Sequence, residues 1–328
     1  MPEPRARPDA TLRVGLAVLG LLALAALLAP LLARSDPELA LDPAVTALSP
    51  PGARFETLRL AAGYELAAPR VVREGDRFRL EGRGREREVP AAAVDAERPL
   101  GRVRFWLGSD ALGRDVAARL LHGGRVSLAV AAASVALSLA LGVPLGLAAG
   151  LARRRLDFAL LGTIETAQAF PRLFLLVALV AVVPAGVGTT VAVLGLTGWM
   201  PVARLVRAET RRVRGSDFVL AARAAGVGGA RLALRHLLPN VAAPVAIEAS
   251  LAMGAAVTTE AALSFLGLGV PPPVPSWGNL IADARGLEAA WWVALFPGLA
   301  LVVTVVACGL IGDALRDRLD PRGGALAS

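Results

Sequence analysis

Three ionisable side chains sit inside otherwise apolar stretches of this 328-residue chain: Glu165, Arg172 and Glu248. Ionisable groups in such surroundings are costly and rare, which makes them the first functional suspects. Glu165 and Arg172 are seven positions apart, two helical turns, so a helix would carry them on one face. Glu248 is the deepest within its run. The carboxylates suit an amine or a cation. An ion pair or a hydrogen bond to a neighbouring subunit suits them equally, and the residues leave both readings open. Glu260 lies nearer the end of its run and stands apart from this group.

Other chemistries lack their residues. His122 and His236 stand far apart and fit no metal-ligand spacing, so no metal site is expected. Cys308, the single cysteine, lies in an apolar run, so no intrachain disulfide can form. The sequence has no P-loop glycine-lysine pattern to cradle nucleotide phosphates and no nucleophile elbow. A chain without these groups is not expected to be an enzyme or to bind ATP itself, and any energy source must belong to a partner.

The elements that would position these residues follow from composition. The chain is 55% hydrophobic but only 5% aromatic, and its mean hydropathy is +0.58, so the apolar excess is alanine, valine and leucine. That is the composition of a membrane protein, in which about 20 apolar residues cross a bilayer core as a helix. Six such runs are expected, at 16–32, 126–152, 158–183, 187–206, 241–262 and 291–315. Pro184, Gly186 and Gly188 break what would otherwise be an overlong third run and supply a tight turn. The first run exceeds a signal-peptide core and is read as a retained anchor.

All 35 basic residues are arginine, and they cluster at the ends of the runs. Counted from a cytoplasmic N-terminus, three clusters fall on the inner side: Arg153 to Arg155, the stretch 207–235, and the tail with Arg316, Arg318 and Arg322. The net charge of +8 therefore indicates topology rather than nucleic-acid binding. Between the first two runs the chain is polar. Alternation at 55–60 and 77–81, with turns at Glu74-Gly75-Asp76 and Gly82-Arg83-Gly84, predicts a small strand-rich extracytoplasmic insert over 55–94.

The stretch 216–240 reads SDFVLAARAAGVGGARLALRHLLPN. Phe218, Ala221, Ala222 and Ala225 recur at helical spacing and predict a short amphipathic helix ending at Gly226, followed by a second helical run over 230–238 that stops at Pro239. Small side chains beside a glycine turn would let another protein pack closely. An amphipathic helix lying on lipid headgroups, using Arg223, Arg231 and Arg235, fits the same residues.

This stretch resembles the coupling loop of bacterial ABC importer permeases, through Ala221, Ala222, Arg223, Gly226, Leu238, Pro239 and the closing Asn240. Leu220 stands where an acidic residue is usual. Three more stretches resemble the second (C-type) permease of dipeptide, oligopeptide and nickel importers. The first runs from Gly108 through Asp110, Gly113, Arg114 and Asp115 to Arg119 and Ser127. The second runs from Glu260 through Ser264 and Gly267 to Trp277. The third runs from Phe296 through Asp313, Arg316 and Asp317 to Arg322, with Gly309 where asparagine is common. The resemblance is close over 105–322 and loose over 12–32.

The resemblance implies an all-α polytopic membrane protein with six transmembrane helices of the importer-permease type, plus the strand-rich insert. The implied organisation is an N-terminal tail and first helix over 1–34, an extracytoplasmic segment over 35–107, a five-helix core over 108–322 that includes the 216–240 loop, and a tail over 323–328. It implies a homologous second permease, two cytoplasmic ATPase subunits that hold ATP and magnesium, and an extracytoplasmic substrate-binding protein. The setting would be the inner membrane of a bacterium, with both termini cytoplasmic. Peptides are the expected solute; nickel or another small solute, and a self-contained carrier or channel, are the rival readings. Close helix packing is expected of the glycines over 264–269, and pinning by Asp-Arg pairs of the turn from Gly108 to Asp115.

Overall fold

A computed structural model describes residues 8–33, 35–82, 85–169 and 172–319. The helices in chain order are α1 (Pro8–Leu27), α2 (Ala29–Leu32), α3 (Pro43–Thr46), α4 (Val116–Leu151), α5 (Arg154–Ala169), α6 (Arg172–Val182), α7 (Val187–Arg214), α8 (Asp217–Ala224), α9 (Gly229–Leu232), α10 (Leu238–Phe265), α11 (Trp277–Asp283) and α12 (Trp291–Leu319). The strands are β1 (Ala53–Arg59), β2 (Glu65–Ala68), β3 (Arg70–Glu74), β4 (Arg77–Gly82), β5 (Arg85–Pro90) and β6 (Leu100–Phe105). The chain divides into two compact units, one of residues 1–23, 127–271 and 301–328, the other of 24–126 and 272–300. Arg5, Arg7, Arg34, the second turn's Arg83 and Gly84, Arg322 and the 323–328 tail lie outside the described residues.

Among the described residues five helices are long and apolar enough to cross a membrane: 9–27, α4, α7, the continuous stretch 229–265 and α12. Six were expected. The run at 158–183 is instead two shorter helices, α5 and α6, with Phe170 and Pro171 between them outside the described residues. Neither α5 nor α6 has the roughly 20 residues a single span needs. The helix expected from 126 begins ten residues earlier, at Val116. Asp115 caps it, Oδ1 accepting the Ala117 N–H at 2.9 Å, so the helix passes through Arg119, His122 and Arg125 before the charge-free run starts.

In the first unit, α4 and α7 pack through a stripe of small residues. A β-carbon on Gly142, Gly146 or Gly150 would lie 2.7, 2.6 or 3.1 Å from the carbonyl oxygens of Trp199, Ala203 and Arg207. Contact that close between backbones is the usual means of association where apolar burial is no longer a driving force. Ser138 Oγ extends the seam, donating to the Gly195 carbonyl at 3.0 Å. Helices α10 and α12 meet similarly, with Ser250 Oγ donating to the Cys308 carbonyl at 2.7 Å. Gly15 of α1 faces Ile311 and Ala307 of α12, beside the apolar contact of Leu12 with Ala314.

The second unit holds two antiparallel sheets, ordered β2-β1-β6 and β3-β4-β5. In β4, Phe78 and Leu80 point inward and join Leu58, Ala68 and Val89 in one apolar cluster. The alternation follows the two-residue period of a strand. Gly75 takes φ +59° in the two-residue β3–β4 loop, where glycine avoids the steric cost of that conformation. Strand structure runs from Ala53 to Phe105, beyond the expected 55–94, because β6 pairs along β1 from Ala53↔Phe105 to Leu58↔Leu100. In β6 only Val103 and Phe105 turn inward, too short an alternation to reveal this in sequence.

Candidate functional site

The 216–240 loop is anchored from one side and open on the other. Val219, Leu232 and Leu237 are buried in a cluster with Val206 and Val213 of α7, Leu147 of α4 and Val241 of α10. Phe218 and Leu220, its neighbours in α8, are 47% and 51% exposed, and Ala221 and Ala225 are exposed as well. Helical spacing did not by itself reveal which apolar residues face inward. Val219, outside the expected repeat, is the anchor; Ala222 is half-buried and packs on the cluster.

Gly226 ends α8 in a left-handed conformation, φ +80°. Its N–H donates to the Arg223 carbonyl at 2.9 Å and the Val227 N–H donates to the Ala222 carbonyl at 3.1 Å. This six-to-one, five-to-two pair satisfies two carbonyls that would otherwise end the helix unpaired. The second helical run does not stop at Pro239. A π-helical turn at Ala233–Leu237 leads into α10, and Pro239 and the exposed Asn240 fall in that helix's first turn. Proline lacks an N–H and crowds the carbonyl four residues back, and a widened turn just before it relieves both demands. Leu238 is half-buried against the same cluster, and Arg223 is half-buried.

In the second unit, the turn from Gly108 to Asp115 is built around one carboxylate. Asp110, 1% exposed, accepts the N–H groups of Leu112 and Arg114 through Oδ1, at 2.9 and 3.0 Å. Its Oδ2 accepts from Arg114 Nε at 2.7 Å and from Arg119 Nη1. Asp283 Oδ2 receives the same two guanidiniums, Arg114 Nη2 at 3.0 Å and Arg119 Nη1 at 2.7 Å. Two buried cations thus meet two anions, the arrangement that makes burial tolerable. Gly113 takes φ +73° and packs on Thr46 and Leu41. Asp115 accepts Ser35 Oγ at 2.7 Å; burial pushes its carboxyl above the usual range, against the hydrogen bonds from Ser35 and Ala117. Trp277 donates its indole N–H to the Leu120 carbonyl at 3.0 Å. Asp283 carries no sequence signal; it is a single acidic residue 164 positions from Arg119.

Glu260, set aside in the sequence, is fully buried in the first unit. Ser127 Oγ donates to its Oε2 at 2.8 Å and Ser264 Oγ to its Oε1 at 2.7 Å. Gly267 does not serve close helix packing. It takes φ +78° with open space at its β-carbon position, and the Leu268 N–H reaches the Leu263 carbonyl at 2.8 Å, so it terminates α10 as Gly226 terminates α8. Asp313, Arg316 and Asp317 are exposed along one face of α12, and no hydrogen bond or ion pair joins them among the described residues. Glu165 is exposed on α5 and Glu248 half-buried on α10; neither has a hydrogen bond or ion pair among the described residues. Arg172 begins α6, and its side chain lies outside the described residues.

Residues 142–323 match the family described as the binding-protein-dependent transport system inner membrane component. The chain belongs to this family. The permease is 43% identical over 222 residues to a putative peptide permease protein of Brucella ovis, covering 67% of this chain and 74% of that one. It is 43% identical to the di/tripeptide transport system permease protein DppC of Pseudomonas aeruginosa, over 68% and 74% of the two chains. Identity to the dipeptide transport system permease protein DppC of Alkalihalophilus pseudofirmus is 37%, over 66% and 72%. Among solved structures, a chain of the MetNI methionine ABC transporter in an inward-facing conformation superposes with a TM-score of 0.53 at 18% identity, covering 62% of the permease and 97% of that chain. That likeness establishes a shared fold. The permease is thus an inner-membrane transport subunit of the ABC importer type, and its family performs transport rather than catalysis.

Proposed function

We propose that this permease pairs with a homologous permease, two cytoplasmic ATPase subunits and an extracytoplasmic binding protein to move di- and oligopeptides across a bacterial cytoplasmic membrane. One observation carries the reading: α8 holds Val219 in the core while Phe218, Leu220 and Ala221 face outward. An apolar exposed strip on a helix locked to α4, α7 and α10 is suited to pass a partner's movement into the membrane helices, because a packed core shifts as a body rather than deforming. ATP and magnesium belong to the ATPase partners and none to this chain. The names of the peptide-permease relatives support the choice of solute.

In this reading α5 and α6 together make the sixth membrane crossing, both termini are cytoplasmic, and the strands lie outside the cell membrane as a cap toward the binding protein. Glu165, Arg172 and Glu248 face the solute path or the second permease. The experiment is uptake of a labelled dipeptide into proteoliposomes holding the whole transporter, with Mg-ATP and binding protein supplied. Phe218→Asp should cut ATP-driven uptake by about tenfold or more, the effect of losing one buried aromatic anchor. Unchanged uptake and unchanged retention of the ATPase subunits would overturn the coupling role. Uptake of Ni²⁺ without uptake of peptide would overturn the solute, and uptake by this chain alone would overturn the assembly.

A further inference from the structure

A charged cavity in the first unit takes no part in the role proposed above. It has a volume of about 460 Å³ and opens where α4 ends, α5 begins and α7 reaches its last turns. Five arginines line it against a single carboxylate, that of Asp157. Asp157 is fully committed: Oδ1 and Oδ2 accept Arg207 Nε and Nη2 at 2.6 and 2.9 Å, and Oδ2 also meets Arg211 Nη2 at 2.6 Å. One carboxylate therefore offsets one of two guanidiniums and fixes the orientation of both. Among the described residues Arg214 Nη1 reaches only backbone carbonyls, those of Gly150 and Leu151 at 3.3 and 3.4 Å. Arg153 and Arg154 are exposed and have no ion pair among the described residues. A surplus of positive charge this concentrated calls for an anion.

The rest of the lining indicates which anion. Phe158, 77% exposed, and Leu161 stand at the same cavity, and Leu156 nearby is 58% exposed. Large apolar side chains left open beside a guanidinium cluster, in a protein whose helices cross a bilayer, match a ligand with a charged end and a hydrocarbon end. Guanidinium forks pair bidentately with phosphate oxygens. Basic pockets between membrane helices favour anionic lipid headgroups, and a cavity of this size admits a phosphodiester with its glycerol. We propose that the cavity between the ends of α4, α5 and α7 is a binding site for the phosphate of an anionic phospholipid, with Arg153, Arg154 and Arg214 receiving the headgroup and Phe158 and Leu161 receiving its acyl chain. Asp157 does not touch the lipid; it positions Arg207 and Arg211.

Native mass spectrometry of the detergent-purified chain, mixed with equal amounts of phosphatidylglycerol and phosphatidylcholine of the same acyl chains, tests this. The wild type should retain phosphatidylglycerol selectively. R153Q/R154Q should reduce that retention by about tenfold, since each removed arginine weakens attraction to an anionic lipid. Both side chains are exposed and make no hydrogen bond or ion pair among the described residues, so the variant should unfold at the wild-type temperature. Phe158→Ala should shorten retention of both lipids. Equal retention of the two lipids by the wild type, or retention unchanged in R153Q/R154Q, would overturn the site. Displacement by millimolar inorganic phosphate would assign the cavity to a soluble anion instead. Loss of bound lipid when ATPase subunits are added would show that a protein covers it and would likewise overturn the proposal.

Discussion

The Val227 amide donates to the Ala222 carbonyl across Gly226, closing α8 with a left-handed residue that a side chain adopts only at a cost. Gly226→Ala should therefore destabilise the protein by about 1–2 kcal/mol although the space around a new β-carbon is open. Gly226→Asn should cost less, because asparagine tolerates this conformation. Thermal unfolding in detergent separates the two. If alanine proves as stable as glycine, the turn is not held as described.

Gly146 carries a packing claim of a different kind. Its β-carbon would fall 2.6 Å from the Ala203 carbonyl and from Val206 Cβ, so Gly146→Leu must force α4 and α7 apart. Overpacking of this sort costs about 1–3 kcal/mol. Gly162, with nothing near its β-carbon, provides the contrast: Gly162→Ala should change stability by no more than about 1 kcal/mol, in the stabilising direction. Equal effects of the two substitutions on the unfolding temperature would contradict the α4–α7 seam.

Asp110 should be far less replaceable than Asp283. Asp110→Ala leaves Arg114 and Arg119 buried with half their counter-charge, and removing one partner of a buried pair costs about 3–5 kcal/mol. Asp283 has a third of its side chain exposed, and water can replace part of what Asp283→Ala removes. The denaturant midpoints of the two variants give the comparison, and reversal of their order would count against the arrangement.

Asp157 holds two guanidiniums of α7: Arg207 Nε and Nη2 and Arg211 Nη2 all meet its carboxylate. Asp157→Asn removes the charge that offsets them and should lower the unfolding temperature in detergent, because breaking a buried pair leaves its partner uncompensated. Asp157→Glu, which keeps the charge, should recover part of the loss. Equal stability of Asp157→Asn and wild type would show that the carboxylate's charge contributes nothing.

Part of this protein was legible in sequence because short-range physics controls it. Runs of 20 apolar residues, the alternation of Phe78 and Leu80, and the glycine that must end α8 are each decided by a few neighbouring residues. Where the structure differs, the cause lies outside the residues that signal each boundary. Helix α4 starts before the charge-free run because Arg119, a solvated charge in sequence, meets Asp110 and Asp283. Helix α10 passes through Pro239 because the π turn before it relieves the proline.

The sequence by itself determined membrane residence and the family, since both rest on composition, span length and motifs that need no partner in space. Only the tertiary structure decided that Val219 rather than Phe218 anchors the coupling helix, that Gly142, Gly146 and Gly150 form a seam, and that Asp157 gathers arginines from α7. The reason is physical: helical periodicity places residues on faces, but which face is buried depends on what packs there. A charge read along the chain has no partner until folding brings one within hydrogen-bonding distance.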